Sequence, residues 1–199
     1  MGIKRLWHFI WKDDSLLSWI LSIIVAYVIV RYAIYPVLGL ALGTSLPVVA
    51  VVSGSMEHNG LDFNSWWEQN NGWYENNGIT KEQFNIFPLH NGFNKGDVIV
   101  IYGRNKVNIG DVVVYDTNGY MYPIIHRVIS TEPISTKGDN NFSPDSNNLN
   151  SETIKGRAVF KVPYLGWIKI GFTTFIDLLR GGKNAILSKM WGNFSATKK

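Results

Sequence analysis

The fold is decided by the segment Val48-Val49-Ala50-Val51-Val52-Ser53-Gly54-Ser55-Met56. Its first five residues are apolar and mostly β-branched, a pattern that predicts a buried strand. The strand ends abruptly at Ser53-Gly54-Ser55, where glycine allows the backbone to turn tightly. Local sequence leaves two interpretations open: the turn simply ends a strand, or it presents the hydroxyl of Ser55 as a nucleophile.

A long apolar segment precedes this strand, and between Ser15 and Met56 it carries a single charge, Arg31. Residues 16–35 would form a helix about 30 Å long, which matches the hydrocarbon core of a bilayer. Pro36 is expected to break or kink this helix. The apolar run is too long for a cleaved signal peptide, and no small-residue cleavage site follows a short apolar core. We therefore expect a retained transmembrane anchor over residues 15–36.

The basic residues before the anchor predict its orientation. Lys4, Arg5 and Lys12 lie in residues 1–14, and basic residues flanking a span favour the cytoplasmic side. The chain after the anchor would then lie outside the cytoplasm, with Ser55 close to the outer bilayer surface. The sequence therefore predicts a single-pass protein of the cell membrane with a cytoplasmic N-terminus.

Composition narrows the chemistry. The 199-residue chain contains no cysteine, which excludes disulfides, catalytic thiolates and cysteine-based zinc sites. Its net charge is +4, and residues 164–199 hold six basic residues and one acidic residue. Because aromatic and aliphatic residues lie among these charges, they suit an anionic membrane surface better than nucleic acid. We expect residues 164–199 to form an amphipathic helical tail at the membrane interface, with a second span as the alternative.

Between the anchor and the tail, the sequence predicts a mainly β, antiparallel domain over residues 47–163, because no helices alternate with the strands. The expected strands are residues 48–52, 96–102, 110–115, 122–130 and 158–163, and a polar loop is expected over 136–150. An insertion over residues 58–95, rich in asparagine and aromatic residues, should form a partly ordered lobe with a helix beginning near Thr80.

Three further residues could act with Ser55. His126 lies in an apolar strand, with its side chain on the face opposite Arg127. A histidine there is usually a packed residue, yet neutral imidazole is also the commonest general base near pH 7. Asp139 and Asp145 each suit a turn when taken alone, but either would complete a Ser-His-Asp set.

Two other readings of the histidines are weaker. His58 follows Ser55 by three residues on a turn, and a side chain so close in sequence rarely points back at its neighbour. Metal binding is not expected, because the sequence has no His-Glu-x-x-His motif and no two histidines spaced to share a helix face.

The order of these motifs resembles that of the type I signal peptidases. Ser53-Gly54-Ser55-Met56-Glu57 is followed by two Gly-Asp strands, by His126-Arg127-Val128-Ile129, and by Lys137-Gly138-Asp139-Asn140-Asn141 before Asp145. The resemblance covers most of residues 15–168 apart from the insertion. It is to the archaeal or endoplasmic-reticulum type, in which histidine stands where bacterial enzymes carry a catalytic lysine. The chain departs from the family after Met56, where His58 and Asn59 replace a frequent proline.

This resemblance implies a membrane-bound serine endopeptidase that removes signal peptides from exported preproteins. It implies Ser55 as the nucleophile, His126 as the general base, Asp145 as its acidic partner and Asp139 as a second acid of the same motif. The hydroxyl of Ser53 would stabilise the oxyanion together with the backbone N–H of Ser55. No cofactor and no metal are implied.

An extended substrate is expected to add to the edge of the first strand and to contact Val49, Val51 and Met56. The expected partners are signal-peptide-bearing preproteins, the lipid bilayer and the protein translocation channel, but not nucleic acid. A histidine base predicts activity that falls below about pH 6.5. Two alternatives share these features: a non-catalytic membrane-anchored β module that docks exported chains, and a different membrane-surface serine hydrolase.

Overall fold

The structure, a computed structural model, describes residues 2–13, 15–103, 106–117, 122–146 and 149–179. The chain divides after Pro47 into two compact units. The first unit is helical: its helices are α1 (Ile3–Lys12), α2 (Leu16–Ile29) and α3 (Tyr35–Leu42), with the π-helical turn Val30–Ile34 joining the last two.

The apolar helix is longer than the sequence predicts, because it does not end at Pro36. It runs over Leu16–Leu42 with a mean hydropathy of 2.0, and in the described part of the chain it is the one helix long and apolar enough to cross a membrane. Pro36 lies in the first turn of α3, directly after the π-helical turn. Since proline lacks an N–H and crowds the preceding turn, this wider turn lets the helix continue. The helix ends at Gly43, whose φ of 64° forms a left-handed cap.

The second unit is built on a six-stranded antiparallel sheet, which confirms the mainly β prediction. Its strands are β1 (Val48–Ala50), β2 (Val98–Tyr102), β3 (Val112–Tyr115), β4 (Ile124–Thr131), β5 (Ile134–Lys137) and β6 (Ile154–Val162). Their order across the sheet is β1-β2-β6-β3-β4-β5. The first and fifth strands are therefore the two edges of the sheet.

Strand β5 was not predicted. The sequence predicts a polar loop from residue 136 onward, yet Thr136 and Lys137 pair with β4 and are buried. The burial of these polar residues is possible because the Thr136 hydroxyl donates to Asp145 and the Lys137 ammonium donates to Tyr74. Their partners are distant in sequence, so local propensity could not indicate the strand.

The insertion is an ordered lobe of two helices, α4 (Phe63–Asn76) and α5 (Lys81–Asn85). Asp62 caps α4, and the predicted helix start at Thr80 is confirmed by a capping box with Gln83. The lobe has its own core of buried side chains: Phe63, Trp66, Trp67, Tyr74, Ile79 and Phe84. Because aromatic rings supply so much of this core, the asparagine-rich segment can fold.

The chain beyond the sheet begins as a helix, α6 (Trp167–Leu179). Its described apolar side chains include Trp167, Ile168 and Phe172, all of them exposed. The helix agrees with the first half of the tail predicted for residues 164–199. Residues 180–199, which carry most of the tail's positive charge, lie outside the described residues.

Candidate active site

Residues 53–56 follow β1 at one edge of the sheet, and we call them the nucleophile turn after the role that the sequence predicts for Ser55. Val51 lies just before it and is held by two backbone hydrogen bonds of 2.9 Å each to the loop preceding β2. Ser55 is half-buried, and its Oγ lies 3.2 Å from Ser53 Oγ. Two hydroxyls therefore lie side by side on a short turn whose upstream end is fixed.

His126 lies on β4 opposite Val113 of β3 and is 7% exposed. Its Nδ1 is 2.6 Å from Asp145 Oδ2. Because an ionised carboxylate can only accept a hydrogen bond, Nδ1 carries the proton, and Nε2 is the basic nitrogen of the neutral ring. A tautomer fixed in this way is what a general base requires.

Asp145 is held by donors that converge on one oxygen. Besides His126, the Thr136 hydroxyl donates to Oδ2 at 2.6 Å and the Tyr115 hydroxyl at 3.0 Å. Burial acts to raise the pKa of Asp145, but the hydrogen bonds from His126, Thr136 and Tyr115 outweigh it and hold the pKa below its ordinary value. The carboxylate is therefore ionised at neutral pH.

The nucleophile turn meets the opposite edge of the sheet just beyond β5. The backbone N–H of Asn140 donates to Ser55 O at 2.8 Å, and its side-chain amide donates to Gly54 O at 3.0 Å. A Cβ at Gly138 would lie 2.6 Å from Ser55 O, so a side chain there would displace the turn. Since β5 pairs with β4 up to the residue before Gly138, the next position in register lies beside His126. The turn and the His126–Asp145 pair are thus brought to the same end of β4 and β5.

Among the described residues, the Ser55 hydroxyl is hydrogen-bonded to Ser53 and not to His126. Catalytic hydrogen bonds of this kind commonly tighten only when substrate binds. The structure therefore fixes one orientation of the His126 ring and brings residues 53–56 to the same end of β4 and β5.

Asp139 belongs to a separate ion pair. Its buried carboxylate accepts from Arg127 at 2.9 Å (Nε to Oδ1) and at 2.7 Å (Nη2 to Oδ2). Burial acts to raise the pKa of Asp139, but Arg127 and then His58 hold it well below its ordinary value. Because Arg127 follows His126 on β4, the two side chains point to opposite faces of the sheet. The two aspartates therefore lie on opposite faces of the sheet: Asp145 binds His126 on one face, and Asp139 binds Arg127 on the other.

Arg127 also joins the insertion to the sheet. Its guanidinium is fully buried and donates to the carbonyl oxygens of Pro88 at 2.8 Å, Gly110 at 2.9 Å and Leu89 at 3.1 Å. Its Cζ lies 4.7 Å from the centre of the Phe84 ring. With Asp139 as its counter-ion, this buried cation has partners on both sides, as burial of a charge requires.

The three residues predicted to contact substrate lie mostly inside the domain. Val49 is half-buried, whereas Val51 and Met56 are buried. The Met56 sulfur accepts a hydrogen bond from Asp139 N at 3.3 Å. At this edge, Val52 is the apolar side chain that is exposed, at 40%.

Sequence reasoning missed the residues that support the site. Tyr115 and Thr136 orient Asp145, and Asn140 holds the nucleophile turn. The signal for Tyr115 was a hydroxyl at the end of an otherwise apolar strand, and for Asn140 its place in the Gly-Asp-Asn-Asn segment. Over the described ranges, no three or more His, Asp or Glu side chains are grouped so as to hold a metal ion.

Comparison with known proteins gives the family. No family model matches the chain. The signal peptidase complex catalytic subunit SEC11 of Plasmodium falciparum is 30% identical over 173 residues, which cover 80% of this chain and 75% of that protein. SEC11 of Komagataella phaffii is 30% identical over 68% of this chain and 72% of its own length. SEC11 of Saccharomyces cerevisiae strain YJM789 is 30% identical over 70% and 73%.

The structure brings a serine-bearing turn and a carboxylate-bound histidine to the same end of β4 and β5, an arrangement typical of the serine hydrolases. The similar proteins identify the family within this class of hydrolases. The chain belongs to the family of the signal peptidase catalytic subunits called SEC11. The predicted resemblance to type I signal peptidases is confirmed, and the protein is a serine endopeptidase of that family.

Proposed function

We propose that this protein cleaves signal peptides with Ser55 as its nucleophile and His126 as its general base. His126 Nε2 takes the Ser55 proton as Oγ attacks the scissile carbonyl, and the ring then returns this proton to the leaving amine. A water molecule, deprotonated by the same nitrogen, hydrolyses the acyl-enzyme. Asp145 stabilises the imidazolium that forms in both steps.

The oxyanion would be stabilised by the backbone N–H of Ser55 and by the hydroxyl of Ser53. The 3.2 Å contact between Ser53 Oγ and Ser55 Oγ supports this role, because the Ser53 hydroxyl lies next to the proposed nucleophile. Loss of one oxyanion donor costs on the order of 3–4 kcal/mol in the barrier. Ser53→Ala should therefore retain measurable but strongly reduced cleavage.

The observation that carries the proposal is the 2.6 Å hydrogen bond from His126 Nδ1 to Asp145. This hydrogen bond leaves the correct nitrogen available for the serine. Gly138, the next position in register with His126, packs against the Ser55 carbonyl.

We assign Asp139 a different role from Asp145. Its carboxylate accepts from Arg127, His58 and Tyr74. Its backbone N–H donates to Met56 Sδ, so it holds the loop after β5 against the nucleophile turn.

The substrate is proposed to bind extended along the open edge of β1. This edge strand offers backbone hydrogen bonds, and exposed Val52 provides apolar contact beside them. Since Val51 and Met56 are buried, we expect them to shape the groove from below rather than to touch the peptide. Val49 is half-buried and would line the groove.

The helix Leu16–Leu42 is proposed to anchor the protein in a membrane. Basic residues before it favour a cytoplasmic N-terminus, and the catalytic unit would then act on the opposite side. Its partners would be preproteins bearing signal peptides, the surrounding bilayer and the translocation channel that delivers them.

The test is cleavage of a purified preprotein by the detergent-solubilised full chain, with the cut site mapped by mass spectrometry. The parent should cut once, at the end of the signal peptide, and Ser55→Ala and His126→Ala should be inactive. Ser143→Ala changes an exposed serine of the loop after β5, and His90→Ala changes a histidine of the insertion, so both are matched controls and should retain full activity.

Cleavage retained by Ser55→Ala would overturn the assignment of the nucleophile. A parent that binds the preprotein without cutting it would favour a docking module, and cuts scattered along the chain would favour a different hydrolase.

A further inference from the structure

His58 is buried beneath the nucleophile turn, and the mechanism above does not use it. It is 3% exposed, and its ring stacks on Trp66 of α4 at 3.8 Å with an interplanar angle of 1°. Its Nε2 lies 3.3 Å from Asp139 Oδ2 and donates to that carboxylate. Its Nδ1 has no hydrogen-bond partner among the described residues. The stack and the single hydrogen bond are therefore two contacts that substitution can remove separately.

The backbone at Gly92 lies close against the His58 ring. A Cβ at Gly92 would lie 2.6 Å from His58 Cδ2 and 2.4 Å from Met56 O. The same Met56 carbonyl accepts a hydrogen bond from Phe93 N at 3.1 Å. The end of the nucleophile turn is thus packed between the insertion and Asp139.

Consecutive residues after the turn bind consecutive residues after β5. His58 donates to Asp139, and the Asn59 side chain donates to Asn140 at 3.3 Å. Asn140 in turn donates to the carbonyl oxygens of Ser55 and Gly54. These contacts form a closed ring of interactions that begins and ends at the turn carrying Ser55.

We propose that His58 is a positioning residue for Ser55. By donating to Asp139 while stacked on Trp66, it fixes residues 139–140 against the nucleophile turn, and it does so with a residue of the insertion's own core. The insertion is on this account a part of the active-site scaffold. This inference rests on the proposed function, since it takes Ser55 as the nucleophile.

Two variants separate the contacts of His58. His58→Phe keeps an aromatic ring on Trp66 but leaves Asp139 without this donor. His58→Gln places an amide N–H close to the position of Nε2 and restores the donor without the stack. His90→Phe is the matched control, because His90 lies in the same insertion and packs edge-on against Phe63.

The measurement is single-turnover cleavage of a preprotein with saturating enzyme in excess, together with steady-state KM and the melting temperature of each variant. The single-turnover rate constant reports bond cleavage in folded enzyme and does not depend on the folded fraction. We expect His58→Phe to lower it roughly 10- to 100-fold, the scale for small displacements of a reacting group, with KM nearly unchanged. His58→Gln should recover most of the rate, and His90→Phe should match the parent.

The inference is overturned if His58→Phe cleaves at the parental single-turnover rate, or if His58→Gln is as slow as His58→Phe. Should His58→Phe fail to fold, the smaller His58→Leu replaces it as the variant that lacks the donor to Asp139. A parental single-turnover rate in folded His58→Leu would then overturn the inference. Cleavage retained by the Ser55→Ala variant would instead refute the proposed function. The failure of this inference and the failure of the proposed function are therefore distinguishable.

Discussion

Replacing Asp145 by asparagine removes a charge and little else. His126, Thr136 and Tyr115 all donate to the same oxygen, Oδ2. Because three donors converge there, the asparagine in Asp145→Asn should turn its carbonyl oxygen toward them and its NH2 group away. The hydrogen bonds and the tautomer of His126 are then kept, and the negative charge beside the ring is lost.

The size of the effect follows from the geometry. The charge centres of the imidazolium and the carboxylate would lie roughly 4 Å apart, given the 2.6 Å contact between Nδ1 and Oδ2. At that separation and an effective dielectric constant of about 20, their attraction is about 4 kcal/mol. Since a general base gains its charge only as it takes the proton in the transition state, kcat should fall roughly a thousandfold.

The assay is preprotein cleavage by the full chain in detergent, with kcat, KM and melting temperature measured for each variant. Asp116→Asn is the matched control, because it removes a carboxylate whose surface ion pair with Lys155 should contribute little. We expect KM and stability of Asp145→Asn to stay near the parental values. A kcat equal to that of the parent would refute the claim that the charge of Asp145 stabilises the imidazolium.

Three further predictions concern the surroundings of the site. Asp139→Asn leaves the buried Arg127 without its counter-ion and should lower the free energy of unfolding by about 3–5 kcal/mol, measured by urea denaturation in detergent; unchanged stability would contradict the role of this pair. Burial lowers the pKa of Lys137 to about 8, so between pH 8 and 10 the unfolded chain binds a proton that the folded chain lacks. The free energy of unfolding should therefore rise with pH by up to about 1.4 kcal/mol per unit from this group, and Lys137→Met should remove that slope. Gly138→Ala places a Cβ against the Ser55 carbonyl and should lower kcat roughly 10- to 100-fold at nearly parental KM, and an unaffected kcat would show that the turn adjusts freely.

The sequence predicted best the strands that are buried through apolar side chains. Runs of β-branched residues located β2, β3 and β4, because such runs occur mainly in buried strands. It failed at β5, where Thr136 and Lys137 are buried only because distant side chains accept or donate their hydrogen bonds. It also missed the continuation of the apolar helix past Pro36, since a π-helical turn is set by local backbone geometry that composition does not reveal.

In the candidate site, too, the sequence predicted what the local pattern determines and missed what the path of a loop determines. Alternation along β4 correctly separated His126 from Arg127. Which aspartate reaches which face depends on the path of the loop between Gly138 and Asp145, and turn-forming residues do not specify that path. The sequence therefore offered both aspartates as partners of His126, whereas the structure puts one on each face. The catalytic roles themselves stay predictions until the variants are measured.

The guanidinium of Arg127 gathers acceptors from three separate stretches of chain: Asp139 after β5, Gly110 before β3, and Pro88 with Leu89 in the insertion. A minimised peptidase made by excising the two-helix lobe would lose two of these carbonyls and open the remaining cation to solvent or to wrong partners. Anyone trimming this enzyme, or grafting its lobe onto a relative, must therefore redesign position 127 in the same step, because the arginine and the lobe can only be exchanged as a set.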